Sequence, residues 1–423
     1  MSPTFTSLRI RNYRIYAGGA FVSNIGTWMQ RVAQDWLVLQ LTDNSATALG
    51  ITTGLQFLPM LLLSPAAGLV ADRFAKRRVL VVTQLMMAVP ALLLGALAVT
   101  GTVQLWHAYV LAFVFGVGTA FDAPARQSFV VEMVGTDDLA NAVGLNSASF
   151  NSARIVGPAI AGFMIAALGS GVSDTGWAIL LNGVSYFAVI ASLMRLDPRH
   201  LTPSVPVEAG RGGIRAGMAY VRGRPDLILV LATVFFVGTF GLNFQMTSAL
   251  MATEVFHKGA AAYGVLGSFM AVGSLAGSLI AARRANPRVR TVFSGALVFS
   301  VILIVVGQMP TYWSFAAMLP LVGLTALTMI TTANATIQLT VDPDMRGRVS
   351  AIYLMIFMGG TPVGAPLIGV IGAAFGARWT LTGAGIITFV GLLVSLAIYL
   401  RSTGKRISRQ PGHLWQPTVS AGR

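Results

Sequence analysis

Residues 68–80 read GLVADRFAKRRVL, and this stretch decides the fold. An apolar run ends at Ala71, five charges follow within seven residues, and a second apolar run begins at Val79. Two long apolar runs around a short polar turn indicate a pair of membrane-spanning helices. Four of the five charges are cations, which places the turn on the cytoplasmic face because basic loops are retained there.

The composition of the whole chain agrees with this interpretation. The 423 residues are 55% hydrophobic and 10% charged, with a mean hydropathy of +0.73. A soluble protein has about 25% charged residues, so this chain lacks the polar surface that water requires. The absence of cysteine excludes disulfides, thiolate metal sites and cysteine nucleophiles. The sequence therefore predicts an all-α polytopic membrane protein.

The distribution of charge orients the spans. Twelve apolar stretches approach or exceed the roughly 20 residues that cross a bilayer. They lie near 15–40, 48–71, 79–99, 104–121, 139–168, 176–195, 227–253, 261–282, 291–308, 313–339, 349–374 and 381–400. With the amino terminus inside, 25 of the 29 Lys and Arg fall in cytoplasmic segments. This bias predicts a multi-pass protein of the cell (inner) membrane with both termini cytoplasmic. Orientation and anionic-lipid contact then explain the net charge of +15, and no nucleic-acid partner is expected.

The spans fall into two halves joined by a linker. Residues 1–195 and 227–400 hold six spans each. Residues 196–226 have the Pro, Gly and Arg content of a cytoplasmic linker, in which 214–221 show the apolar spacing of a short surface helix. Residues 401–423 have no apolar periodicity and are expected to form a disordered cytoplasmic tail.

The two halves also resemble each other in sequence. Residues 157–169 match 364–376 in the positions of three glycines, and 46–50 resemble 260–264. Six-helix halves related about the membrane normal are a repeat arrangement found in secondary transporters.

The loop at residues 68–80 resembles the motif between helices 2 and 3 of major facilitator superfamily transporters. The matching residues are Gly68, Leu69, Ala71, Asp72, Arg73, Arg77 and Leu80, with Lys76 replacing arginine and Ala75 standing where glycine is usual. A second pattern, Gly144, Gly157, Pro158 and Gly162, resembles the antiporter motif of the fifth helix. The chain as a whole is most similar to the transmembrane secretion effector branch, which includes the enterobactin exporter and macrolide efflux pumps. The resemblance implies twelve helices in two pseudo-symmetric halves, without a cofactor or metal site.

The resemblance also implies a gate at the loop. We expect Asp72 to be held by nearby cations, among them Arg73, Lys76, Arg77 and Arg78, and by the amino-terminal dipole of the eleventh helix. Asp122, at the inner end of the fourth helix, is expected to compete for the same arginines. These contacts require the cytoplasmic ends of the two halves to be together.

Polar residues inside spans are costly and are therefore candidates for function. The amides are either cavity groups that bond a substrate or groups that satisfy one another between helices; they are Gln30, Gln34, Asn146, Asn151, Asn243, Gln245, Asn334 and Gln338. The charged candidates are Arg31, Asp35 and Arg154. Arg31 and Asp35 share one face of the first helix, and Arg154 lies beside it in the resembling fold. Three alternatives follow for these residues. Asp35 exchanges a proton while an arginine meets an electron-rich group on the substrate, or the charges form a fixed ion pair, or they contact the substrate alone.

These observations favour one function over two others. Metalloprotease, hydrolase and P-loop motifs are absent from the sequence, so no enzymatic activity is expected. We expect a monomeric secondary transporter that expels a small amphipathic molecule (a drug, siderophore or secondary metabolite) by proton-coupled alternating access. Uptake by symport and a non-transporting sensor or scaffold are the alternatives.

Overall fold

The computed structural model describes residues 3–135, 138–201, 213–282, 288–403, 405–409 and 417–421. Six long helices form the first half: α1 (Arg11–Leu41), α2 (Ala46–Arg73), α3 (Lys76–Val99), α4 (Leu105–Val134), α5 (Leu139–Leu168) and α6 (Val172–Met194). Short 3-10 helices at Pro3–Arg9 and Pro198–His200 flank this half. The bounds of α5 agree with those predicted for the fifth span.

The second half contains two interrupted spans. After α7 (Gly213–Arg222), the seventh span consists of α8 (Pro225–Phe236) and α9 (Phe244–Leu250), each followed by a π-helical turn. The eleventh span consists of α13 (Pro343–Gly359) and α14 (Thr361–Phe375). The remaining spans are α10 (Ala260–Ala282), α11 (Val289–Gly307), α12 (Tyr312–Thr340) and α15 (Ala377–Thr403).

Eleven elements of the described chain are long and apolar enough to cross a membrane. Helix α1 is not among these eleven, and we count it as the remaining span of the twelve. It is 31 residues long, but its mean hydropathy is low because Arg31, Asp35 and three buried amides lie within it. The polar content that lowers its hydropathy is also what makes it the helix on which the candidate site is built.

The turn that decides the fold is two residues long. Helix α2 ends at Arg73 and α3 begins at Lys76, which leaves Phe74 and Ala75 as the connection. Ala75 has a φ of −58°, so the turn does not need the glycine that the resembling family usually has there.

The tail differs from the sequence expectation. Residues 401–423 were expected to be disordered, but Lys405–Arg409 pairs antiparallel with Pro417–Ala421. Ile407 stands opposite Val419 in the backbone register of this pair.

The halves meet through glycines in a crosswise pattern. Helix α5 packs on α10, and α14 packs on α2. A Cβ atom on Gly162 would lie 2.5 Å from the carbonyl oxygen of Ala260, and one on Gly369 would lie 2.6 Å from that of Ala46. The contacting segments are the ones that resemble each other in sequence: 157–169 contacts 260–264, and 364–376 contacts 46–50. Each half therefore supplies one glycine-rich helix and one partner segment of small residues.

All of these close approaches lie at one end of the bundle. We call this the far end, where α1 ends and α10 begins; the basic end is the opposite one, which holds the turn at Phe74 and Ala75. Towards the basic end the halves diverge, and Val143 and Phe150 on α5 are exposed. The structure is therefore closed at the far end and open at the basic end.

The linker helix α7 packs on the basic half of the eleventh span. A Cβ atom on Gly217 would meet the side chain of Arg348 at 3.0 Å, and the Tyr220 hydroxyl accepts a hydrogen bond from the backbone N–H of Asp342. The linker is thus attached to α13.

Candidate functional site

A small cavity lies between the two halves, just below the closed far end. Its volume is about 150 Å³. Helix α1 contributes Trp28 and Arg31, α5 contributes Arg154, and the second half contributes Gln245 and Tyr263. The cavity therefore contains the two arginines that the sequence selected, together with groups from the opposite half.

Trp28 lies beside both arginines. The guanidinium carbon of Arg31 is 4.9 Å from the Trp28 ring centroid, and that of Arg154 is 5.5 Å from it. Arg31 also lies 5.3 Å from the ring centroid of Phe57. Aromatic faces stabilise cations that have lost water, so these rings replace part of the lost hydration.

Arg31 is only partly satisfied by hydrogen bonds. Its Nη1 donates to Oε1 of Gln245 at 3.3 Å, which links α1 to α9 in the other half. Its Nε is buried and has no hydrogen-bond partner among the described residues. Within that part of the chain, no ion pair joins Arg31 or Arg154 to Asp35. The predicted ion pair is therefore absent in this state.

Asp35 has a different partner, in the opposite half. Its Oδ2 accepts a hydrogen bond of 2.7 Å from the hydroxyl of Tyr263 on α10, and the Asp35 side chain is buried. Tyr263 lies one turn from the start of α10, at the closed far end. The contact therefore exists only while the far ends of the two halves are together.

The eight predicted amides separate into groups. Gln30 and Asn243 bond within their own halves: Gln30 accepts from Asn182, and Asn243 donates to the carbonyl oxygen of Thr239. The Oδ1 of Asn243 is buried without a hydrogen-bond partner among the described residues. Gln34 is buried in α1. Gln245 lines the small cavity, and Asn334 is exposed on α12. Gln338 donates to Ser350 across the basic ends of α12 and α13.

A larger cavity, of about 510 Å³, opens towards the basic end between α1, α4 and α5. Asn146, Asn151 and Arg126 line it together with Tyr16 and Phe150. Phe150 also packs edge-on against Trp28, with 5.5 Å between the ring centroids. These two rings separate the larger cavity from the smaller one.

Asp122 is fully engaged within the first half. It forms an ion pair of 2.9 Å with Arg126 and accepts hydrogen bonds from Thr83 and Gln84. The predicted competition for the loop arginines belongs to the state in which the basic ends meet, so it stays a prediction. Asp122 is buried one turn before Arg126 on the same helix, which is a closer cation than any in the loop.

The loop residues have separate roles in this conformation. Asp72, Arg73 and Arg78 are exposed, and the gate role of this loop stays a prediction. Lys76 is buried and forms an ion pair of 3.0 Å with Glu132 on α4. Arg77 donates to the carbonyl oxygen of Met194 at the end of α6.

Two of the four residues of the predicted antiporter motif, Pro158 and Gly162, lie on the interface between the halves, and Gly157 packs within the first half. A Cβ on Gly157 would meet Trp28 on α1 at 2.6 Å, and the Pro158 carbonyl lies against Gly264 on α10. Gly162 meets Ala260 as described above. Gly144 faces open space, so its small size is not required by a contact in this state.

Sequence analysis missed four residues: three are uncharged aromatic residues, and the fourth is an acid beyond the predicted fourth span. Trp28, Phe150 and Tyr263 are aromatic residues among many in apolar helices, and no spacing distinguishes them. Glu132 lies near the end of α4, beyond the predicted span, although an acid in an apolar stretch was a usable signal. Chemically, the site contains two cations beside the Trp28 ring, Arg31 and Arg154. It also contains one carboxylate, Asp35, which accepts a hydrogen bond from the other half.

Solved structures share this architecture. A nucleoside transporter, NupG, superposes with a TM-score of 0.73 at 10% identity, covering 92% of this chain and 99% of that one. A bacterial homologue of the human lysosomal transporter Spinster, inward-facing and unoccupied, gives 0.69 at 15% identity, covering 95% and 97%. The fold is the major facilitator fold, an all-α membrane protein of twelve helices in two pseudo-symmetric halves, as predicted.

Relatives by sequence are transport proteins. The multidrug efflux pump Tap of Mycolicibacterium fortuitum is 30% identical over 85% of this chain and 89% of its own length. The staphyloferrin A transporter of Staphylococcus aureus is 24% identical over 89% and 93%. The macrolide efflux protein A of Streptococcus pyogenes is 23% identical over 94% and 98%.

Fold, cavity and relatives together define a secondary transporter of the efflux type, a multi-pass membrane protein and not an enzyme. The chain belongs to the transmembrane secretion effector family, whose sequence profile matches residues 2–421. This match confirms the predicted membership of the transmembrane secretion effector branch. The substrate of this transporter is a small molecule.

Proposed function

We propose that protons drive efflux and that Asp35 carries them, with Tyr263 linking the charge of Asp35 to the far gate. The basic end faces the cytoplasm in this proposal, so the structure is the inward-open state. The protein acts as a monomeric antiporter in the inner membrane, with both termini cytoplasmic and anionic lipids around the basic end. The single observation that carries the proposal is the hydrogen bond from Tyr263 to Asp35 across the two halves.

The position of Asp35 supports a role in proton exchange. A buried carboxylate is costly to keep charged unless hydrogen bonds or cations compensate it. Here Tyr263 supplies a strong donor, because hydrogen bonds to charged acceptors are shorter and stronger than neutral ones. Opening the far end removes that donor and exposes the carboxylate to water, so its affinity for a proton changes with the state of the gate.

This dependence gives the coupling a direction. The outward-open state takes up a proton on Asp35 from the outside, and neutral Asp35 no longer needs Tyr263 as a donor. After return to the inward-open state the proton is released to the cytoplasm, and the charged carboxylate binds Tyr263 again. One inward proton thus accompanies each return of the empty transporter.

Asp35→Asn tests the proposal in proteoliposomes. The carboxamide fills the same volume but has no titratable proton, so efflux driven by a pH gradient is expected to stop. Exchange of cargo down its own gradient is expected to continue, because it does not need the proton. The matched control is Asp43→Asn, an exposed acid just beyond the end of α1, which should transport normally. Uphill efflux at the wild-type rate in Asp35→Asn would contradict the proposal.

A further inference from the structure

We infer that the cargo carries a planar aromatic anion as its head group, which binds between Arg31 and Arg154 while its body occupies the larger cavity. This inference rests on the proposed function only in taking these cavities as the cargo site. It specifies the chemical class of the cargo through residues that no proton step requires.

The first argument is the charge of the small cavity. Arg31 and Arg154 line the small cavity, and Asp35 lies behind the lining residue Tyr263, to which it is bonded. Together the three side chains have a formal charge of +1 when Asp35 is ionised. Asp35 is bonded to Tyr263, and neither arginine has an ion-pair partner among the described residues. Cations held away from water require a partner. A single anion brings the formal charge to zero, whereas a cationic cargo raises it to +2.

The second argument is the geometry of the donors. Both guanidiniums lie against the same Trp28 ring, and Nε of Arg31 is buried without a partner. A guanidinium donates in a planar fork that matches a carboxylate or a similar planar anion. Phe150 packs against Trp28 on the side of the larger cavity. A planar ring bearing the anion therefore satisfies the free donor and contacts Trp28 in the small cavity.

The third argument is size. Pockets for drug-sized ligands measure about 300–1,000 Å³, and the small cavity is about 150 Å³. It has room for a single substituted ring but not for a whole amphipathic molecule. The larger cavity, of about 510 Å³, provides amides and Arg126 for a polar body. Because Phe150 borders the larger cavity and contacts Trp28, a cargo that extends past this side chain occupies both.

Binding of the anion also affects the closed gate. Arg31 is held by Gln245 of the opposite half, and an anion competes for the same guanidinium. Among the described residues, two hydrogen bonds join α1 to the opposite half near the far end. Cargo weakens the one made by Arg31, and a proton on Asp35 weakens the one made by Tyr263.

Binding of salicylate to the purified wild-type protein in detergent tests the inference. Salicylate is a planar aromatic monoanion small enough for a single-ring site, and salicylamide is a neutral molecule of the same shape. We expect saturable binding of radiolabelled salicylate and at least tenfold weaker binding of salicylamide. In Arg154→Gln, salicylate binding should fall at least about tenfold, the effect of losing about 1.4 kcal/mol of binding free energy.

Two further variants make the result specific. Arg14→Gln removes an exposed cation from the same helix α1 and should bind salicylate as the wild type does. Arg154→Lys keeps the charge but loses the planar fork, so it should bind several-fold more weakly, and it provides the test if Arg154→Gln does not fold. Absence of saturable salicylate binding, equal affinity for salicylamide, or unchanged binding in the Arg154 variants would overturn the inference.

The assay is independent of the proton proposal. It uses de-energised protein, so neither a gradient nor Asp35 exchange is required. Salicylate binding together with normal uphill efflux in Asp35→Asn would refute Asp35 as the proton carrier and keep the cargo class. Loss of uphill efflux in Asp35→Asn without any salicylate binding would refute the cargo class and keep proton coupling.

Discussion

Replacing Tyr263 by phenylalanine removes one hydroxyl from the contact between the halves. That hydroxyl donates to Asp35 at 2.7 Å, inside the protein. A hydrogen bond to a charged group contributes about 1.5–3 kcal/mol, and this one exists only when the far end is closed. Its loss is therefore expected to move the gate equilibrium towards the far-open state by a factor of about 10 to 100.

The gate equilibrium is measurable by double electron–electron resonance, because the chain has no native cysteine. Spin labels at Ser173→Cys and Lys258→Cys report the distance between the two halves at the far end, where both residues are exposed. Tyr263→Phe should increase the long-distance population. The protein should remain monodisperse, since the ring of Tyr263 stays in place.

Tyr312→Phe is the matched control for this measurement. The Tyr312 hydroxyl donates to the carbonyl oxygen of Ala262 at 3.0 Å, entirely within the second half. The same chemical change there should leave the far-end distances unaltered. If Tyr263→Phe gives the same distance distribution as Tyr312→Phe, the hydroxyl does not hold the gate and the reasoning is refuted.

Two other predictions concern the basic end. Asp72→Asn should weaken the state in which the basic ends meet and slow transport without blocking insertion. In that variant a thiol probe should label Ser147→Cys, which lines the larger cavity, faster than in the parent protein. Unchanged labelling would count against a gate role for Asp72. The buried pair of Lys76 and Glu132 should behave as a coupled unit. Lys76→Met alone should lower the unfolding temperature in detergent, because it leaves Glu132 buried without this cation. The double variant Lys76→Met with Glu132→Gln should recover part of that loss. Additive losses in the double variant would exclude the coupling.

The sequence allowed the spans to be located because charges interrupt apolar runs in lipid. The turn at residues 74–75, the bounds of α5 and the short helix near 214–221 all follow from that pattern. The crosswise packing was predictable in part, since the glycines of 157–169 and 364–376 repeat. Which segment each glycine helix would face depended on the arrangement of the halves.

The candidate site was only partly predictable, for a physical reason. Buried charges are rare in spans, so Arg31, Asp35 and Arg154 could be selected from the sequence. The partner of Asp35 could not, because a tyrosine in an apolar helix has the same pattern whether its hydroxyl faces lipid headgroups or a carboxylate. In this conformation Asp122 pairs with Arg126, one turn away on the same helix, a contact that the four-residue spacing of the sequence could have indicated.

The glycine contacts at the far end have a consequence for the speed of the cycle. Helices that interlock through large side chains must withdraw them before they can separate, which adds a steric activation barrier. Where Gly162 faces Ala260 and Gly369 faces Ala46, backbone lies against backbone and nothing is interdigitated. The helices can separate there without withdrawing side chains. The activation barrier therefore comes mainly from the few polar contacts between the two halves. A transporter built this way can have its turnover rate tuned by single hydroxyl or amide groups while its helix packing stays unchanged.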